Sequence, residues 1–178
     1  MRQAAWRLRE ITDTYLAGLM EAAVTVGNTI GSDAVPEVPT IDNAYERLVD
    51  LGVMLDEANV PIDGRFVIVP SWFHGLLLKD DRFVRAGTMP GEQRLANGEV
   101  GEAAGFSILK SNNVPNTAGE KFKIIAGHSM ATSYAEQILD VQTYKPEKRF
   151  GDAVKGLHVY GAKVVRPTAL AMLVASKG

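Results

Sequence analysis

Three histidines, His74, His128 and His158, are the side chains of this sequence best suited to proton transfer or metal binding near neutral pH. None has a partner at i+2 or i+4 that would complete a zinc pattern, so spacing supplies no metal site. His74 is expected on a helix, at the surface or half-buried, and His158 in a strand facing solvent or a neighbour. His128-Ser129 follows an apolar strand-like run, where a catalytic histidine could stand. A hydrolase nucleophile elbow would require Gly-x-Ser-x-Gly, which does not occur, so a structural turn is the better account of the pair. The acid pairs Asp56-Glu57 and Asp80-Asp81 fall at expected helix ends or exposed faces, where adjacent charges serve solvation more often than acid–base work. Gly98, Gly101 and Gly105 lie close together, but they neither follow a strand nor open a helix, so they read as loop freedom and not as a phosphate cradle.

The chain has 178 residues and no cysteine. That excludes a disulfide framework, thiol catalysis and cysteine-bound metal. A formal charge of −2 argues against a general nucleic-acid binder. The densest basic group, Lys145, Lys148 and Arg149, is broken by Pro146 and Glu147 and reads as a solvated turn. No apolar run reaches the ~20 residues of a membrane helix, and no signal-type segment follows the N-terminus, so the chain reads as soluble and unexported. At this length one core suffices without metal or disulfide. No catalytic, cofactor-binding or metal-binding residue is assigned, and no cofactor is expected.

The elements that would position any site begin with a long amphipathic helix. Leu8, Ile11, Tyr15, Leu19 and Ala22 or Ala23 recur at helical spacing, and the helix is expected to run to Val26, ahead of Gly27-Asn28. Residues Gly27 to Pro39 read as a linker. A second helix is expected from a cap at Thr40 or Asp42, with Ala44, Tyr45, Leu48, Leu51, Leu55 and Ala58 on one face and Asn59 at its C-terminal cap. Arg65 to Val69 reads as a short strand, apolar on both faces and therefore central in its sheet. Pro70 ends it, and Ser71 is expected to cap a short helix, Trp72 to Leu78. Phe83 to Val100 reads as a long loop. Strands are expected at Glu102 to Leu109, Phe122 to Ala126, Leu139 to Tyr144, Val154 to Val165 and Leu170 to Val174. A strong turn signal stands at Ser111 to Pro115. Ala131 to Ile138 fits helix or loop, and Pro167 starts a tight turn or a single helical turn. This order lacks regular strand–helix–strand alternation and predicts an α+β fold with a mixed or mostly antiparallel sheet.

Four stretches in order carry a resemblance: Phe66 to Phe73 (Phe-Val-Ile-Val-Pro-Ser-Trp-Phe) followed by Leu76-Leu77; Gly101 to Ile108 (Gly-Glu-Ala-Ala-Gly-Phe-Ser-Ile); Lys110 to Pro115 (Lys-Ser-Asn-Asn-Val-Pro); and Gly156 to Pro167, ending in Ala169-Leu170-Ala171. With these the sequence resembles the major capsid protein of tailed bacteriophages, whose shell fold is shared by encapsulin compartments. The resemblance implies a long spine helix, an axial domain over residues 40–148, and a discontinuous peripheral domain over residues 1–39 and 149–178, in which the first helix and the last two strands belong together. It implies a structural subunit and no enzyme. Such a subunit associates with copies of itself into pentamers and hexamers around double-stranded DNA, without strong direct binding of the DNA. Scaffold or portal proteins are further partners, there is no membrane, and the location is the virion, assembled in the bacterial host cytoplasm. Family members carry an N-terminal arm and an extended loop ahead of the spine helix, so by this comparison the chain is expected to be a shortened form. Candidate contact elements are Phe83 to Val100, Asn112 to Lys121 and Pro146 to Asp152. An encapsulin-like compartment subunit is the alternative, and a small α/β hydrolase or transferase using His128 with Asp80 or Asp81 is a lesser one.

Overall fold

The computed structural model describes residues 2–80, 101–147, 151 and 153–177. The first helix, α1 (Arg2–Ala23), stops three residues short of the expected end, and Val26–Asn28 forms a separate 3-10 turn. The second helix, α2 (Ala44–Glu57), buries Ala44, Leu48, Leu51, Gly52 and Leu55. Each of its three leucines contributes about 1.5–3 kcal/mol of burial. Its C-terminus is closed as the sequence predicts. Asn59 takes φ 53°, its amide bonds the Asp56 carbonyl at 2.9 Å, and the Val60 amide bonds Leu55 at 3.0 Å. These are the two bonds of a Schellman cap, which uses asparagine here because that residue tolerates left-handed backbone.

The strands form one large mixed sheet and one separate ribbon. Strand β1 (Thr29–Ile30) lies at one edge, followed in space by β9 (Leu170–Ser176), β6 (Lys121–His128), β2 (Arg65–Val69), β4 (Phe106–Lys110) and β3 (Glu102–Ala103); β5 (Asn116–Thr117) pairs with the end of β6. Strand β2 is central, as its continuous apolar run predicts, parallel to β4 and antiparallel to β6. The ribbon consists of β7 (Thr132–Tyr144) and β8 (Ala153–Val164), antiparallel, with an irregularity between Ile138 and Asp140. Residues 131–138, open between helix and loop from sequence, are therefore mostly strand.

Helices cover both faces of the large sheet. Helix α1 lies over one face, where Leu16, Ala17 and Met20 approach Ile68 and Leu109 and Lys123 pairs with Glu21. Helices α2 and α3 (Ser71–Lys79) lie over the other. There the Phe106 ring passes beside Gly52, Trp72 meets Phe122 at a 60° tilt with ring centroids 5.7 Å apart, and Val67, Val69, Ile124 and Leu173 are fully buried.

Three expectations change. Strand Glu102 to Leu109 is broken into β3 and β4 by a two-residue turn, Ala104 (φ 51°) and Gly105 (φ 77°). Two successive positive φ values make the hairpin turn that matches strand twist. The linker from Gly27 to Pro39 is not free. Glu37 exchanges backbone bonds with Val174 (2.9 Å) and Ser176 (2.8 Å) along β9, and Asn28 Nδ2 donates to the Leu170 carbonyl at 3.0 Å. Finally, the last two strands part company. Strand β8 pairs with β7, and β9 sits inside the large sheet, paired along its own full length with residues 121–127 of β6. Its run Leu-Ala-Met-Leu-Val-Ala is apolar on both faces, which suits a strand covered on both sides.

Candidate functional site

The residues singled out for chemistry are dispersed over several elements. His128, at the end of β6, accepts a bond from the Met130 amide at Nδ1 (3.0 Å), so Nε2 carries the proton it donates to the Asp63 carbonyl at 2.6 Å. Both ring nitrogens thus fasten backbone, and the lone pair a general base would use is occupied. This is the structural turn that the sequence favours. His74 is buried on α3, where desolvation first and the Lys110 charge second hold its pKa below the ordinary histidine range. His158 lies in β8 opposite Ile138. Asp56 accepts from Arg65 at 2.7 Å, Glu57 closes α2, and Asp80 is the buried C-terminal cap of α3. Gly101 accepts the Ile108 amide at 3.1 Å, and Gly105 makes the β3–β4 turn. Asp81, Gly98, Lys148, Arg149 and the loop Phe83 to Val100 lie outside the described residues, as do 148–150 and 152 of the segment Pro146 to Asp152. Among the described residues no group of acidic and histidine side chains could hold a metal ion, and no helix is long and apolar enough to cross a membrane.

The recognisable motifs instead build joints between elements. Asn112, in the Ser-Asn-Asn turn, is the true cap of α3. Its Oδ1 accepts from the Ser71 amide (3.2 Å) and hydroxyl (2.7 Å), while Pro70, which has no side chain able to cap, occupies the N-cap position. In the expected contact segment Asn112 to Lys121, Val114 is buried, residues 116–120 are exposed, and two side chains tie the segment to the linker. Thr117 Oγ1 donates to Asp33 at 3.4 Å and Lys121 Nζ to the Asp33 carbonyl at 2.6 Å. Arg65, at the start of β2, is buried and bonds the carbonyls of Gly52, Val60 and Pro61. Arg166 performs the same task at the other end of the chain, donating to the Ala58 carbonyl at 2.9 Å and to the Met130 sulfur at 3.3 Å. Pro167 then opens a 3-10 turn that leads into β9.

What remains open is surface. The expected apolar stripe of α1 is rotated off the body. Ile11 is 54% and Tyr15 43% exposed, while Thr12, Ala17 and Met20 are buried. Tyr15 meets Tyr160 of β8 edge to face at 5.4 Å, so α1 spans from the large sheet to the ribbon. Described side chains on both faces of β7 are exposed from Ser133 to Gln137, and Val159 of β8 is 47% exposed. Among the described residues, α1 and the ribbon present exposed side-chain surface of the kind that a subunit packing against other copies would offer.

The comparisons agree with that class. The phage capsid protein family matches residues 1–173, and the chain belongs to it. A solved structure from Mycobacterium phage Che8 is similar at 29% identity and TM-score 0.80, with 97% of this chain and 61% of that one covered. The capsid structure of cyanophage P-SCSP1u shares the fold at 16% identity and TM-score 0.74, over 99% of this chain and 64% of its own. So does the holo-SrpI encapsulin complex from Synechococcus elongatus, at 14% identity and TM-score 0.62, over 98% and 64%. The chain therefore spans about three fifths of the length of these structures. No curated protein matches it.

Proposed function

We propose that this chain is a structural subunit of a tailed-phage or prophage capsid. It associates with copies of itself into pentamers and hexamers, and these close into an icosahedral shell around double-stranded DNA. The match of the capsid family over residues 1–173 carries this reading. The exposed α1 stripe and open ribbon support it, because a shell subunit needs heterologous surfaces that repeat from copy to copy. With a formal charge of −2 the chain holds DNA by enclosure and not by a basic lining. The role is non-enzymatic, the location is the virion, assembly takes place in the host cytoplasm, and scaffold or portal proteins are the further partners.

The two-part division takes this form: an axial part made of the large sheet with α2 and α3, and a peripheral part made of the ribbon and the outer half of α1. Assigning β9 to the axial part moves the boundary from 149–178 to the 3-10 turn at Pro167–Ala169. The pairing of β9 with β6 supports the change.

Electron microscopy and size-exclusion chromatography of the purified chain test the proposal. Rings, sheets or shells are expected, and a strict monomer that binds a small molecule tightly would overturn it. An encapsulin-like compartment is the second reading, favoured by the likeness to the SrpI complex. Particles that package a protein cargo and exclude DNA would select it.

A further inference from the structure

Two helices keep a line of side chains turned to solvent. On α1, Arg7, Ile11 and Ala22 are exposed, and Gly18 between them is open, since a Cβ there would meet nothing within 4 Å. Steps of four and seven residues set these positions on one side of the helix, opposite the buried Met20. On α2, Glu46, Val49, Val53 and Glu57 are exposed at steps of three and four, away from the buried Leu48, Leu51 and Leu55. The outward side of a helix is ordinarily polar. Here Ile11 is 54%, Val49 40% and Val53 49% exposed.

The two lines complement each other in charge. The α1 line carries Arg7 and no acid, and the α2 line carries Glu46 and Glu57 and no base. Among the described residues, the Arg7 guanidinium and the Glu57 carboxylate have no hydrogen bond or ion pair inside the copy. Glu46 does have a partner there and is left out of the pairing. The spacing fits as well. With the helices antiparallel and Arg7 set on Glu57, Ile11 falls on Val53 four residues along, and Val49 falls between Ile11 and Gly18. The missing side chain of Gly18 leaves room there for close approach. Within one copy these lines cannot meet, because the helices lie on opposite faces of the large sheet, α1 beside Lys123 and α2 beside Phe106.

We propose that the α1 line of one copy docks antiparallel on the α2 line of the next. The occupant is a second copy of this chain, because its other helix supplies both the opposite charge and the matching apolar steps. Unlike faces meeting is the heterologous contact that generates a ring. Two α2 lines would bring acids together, and two α1 lines would leave Arg7 without a carboxylate. Three helical turns a side bury less than the ~800 Å² per partner of a standard interface, so the contact is weak singly and gains strength by repetition. The inference rests on the capsid reading and assigns that reading a contact surface.

Charge reversal in the whole chain tests it. Arg7→Glu and Glu57→Arg, each alone, are expected to raise the concentration needed for assembly about threefold or more at low salt, since like charges then meet at every contact. The double variant R7E/E57R restores the pair in reverse and is expected to assemble like the wild type. Both positions are exposed, and circular dichroism and thermal unfolding check that each fold is kept. Cross-linking gives a second readout, because the chain has no cysteine of its own. Ile11→Cys and Val53→Cys chains, mixed and assembled, are expected to join into dimers with a short bismaleimide, and neither alone should. A wild-type chain that never assembles overturns the capsid reading itself. A wild type that assembles, alongside single reversals that assemble equally well or a cysteine mixture that gives no dimer, overturns the helix contact and leaves the capsid reading standing. Single reversals that fail with a double variant that also fails overturn it as well, because a reversed pair must rescue.

Discussion

Nη2 of Arg65 lies 2.7 Å from Asp56 Oδ1, fastening the last turn of α2 to the first residue of β2. The two partners are unequal: the Arg65 side chain is 4% exposed and that of Asp56 59%. Arg65→Met removes the side-chain donor that bonds the carbonyls of Gly52, Val60 and Pro61. It is expected to cost about 3 kcal/mol in urea unfolding, as buried polar groups lose their donor. Asp56→Asn leaves those carbonyl bonds in place and should cost about 1 kcal/mol or less. Equal losses would mean that the ion pair, and not the carbonyls, holds the joint.

Asn112 caps α3 from another loop, so its removal has a local signature. Asn112→Ala should lower stability by about 1 kcal/mol, or roughly 2–4 °C in melting temperature for a chain of this size. Hydrogen exchange should quicken first at the amides of Ser71 and its neighbours. A uniform rise across the sheet with no local excess would contradict the capping role.

Two glycines predict opposite signs. A Cβ on Gly127 would stand 2.7 Å from Leu170 Cδ2 and 3.1 Å from the Ala169 carbonyl, so Gly127→Ala forces β6 and β9 apart and should cost about 1–3 kcal/mol. Gly75, within α3, has nothing within 4 Å of such an atom, and Gly75→Ala should stabilise by about 0.5–1 kcal/mol through helix propensity. Thermal melts of the two variants check both signs.

His74 makes stability depend on acid. Its folded pKa lies below the ordinary 6.5, through burial and then Lys110. The unfolded chain therefore takes up the proton first, at the higher pH. The stability tied to neutral His74 is complete above about pH 6.5 and is lost as pH falls through the lowered folded value. The urea midpoint should drop between pH 7 and pH 5 in the wild type and drop less in His74→Gln. Parallel slopes would remove His74 as the source.

Much of this architecture was legible because local chemistry and packing agree. The span of β2, the Asn59 cap and the turn at Pro167 follow from residue type alone. Where expectation failed, a distant partner decided. The apolar stripe of α1 pointed to Ile11 and Tyr15, but the helix buries Thr12, Ala17 and Met20 because two different surfaces, the large sheet and Tyr160 of the ribbon, share it. The β3–β4 hairpin escaped notice because its turn is Ala-Gly, with alanine at a positive φ that asparagine or aspartate would normally signal. Residues 131–138 carry Ser, Ala, Glu and Gln between few apolar positions, since this part of the ribbon has no buried face to impose a period of two. The candidate site was least legible for the same reason. A contact surface between copies has no fixed spacing of catalytic side chains for a sequence to display.

Tyr15 of α1 touches the ribbon part-way along, at Tyr160, and at its root the carbonyl of Ala131 accepts the amides of both Val165 (2.8 Å) and Arg166 (3.2 Å), where the two ribbon strands leave and rejoin the body. Mechanically that point is a pivot carrying an arm of about 40 Å, the length of twelve strand residues. A tilt of a few degrees there displaces the far tip by several ångströms, while the core of the large sheet is undisturbed. In a closed assembly, the curvature each copy can accommodate would be set by the stiffness of this oxygen's two bonds, the Arg166 brace beside it and the Tyr15–Tyr160 contact with α1.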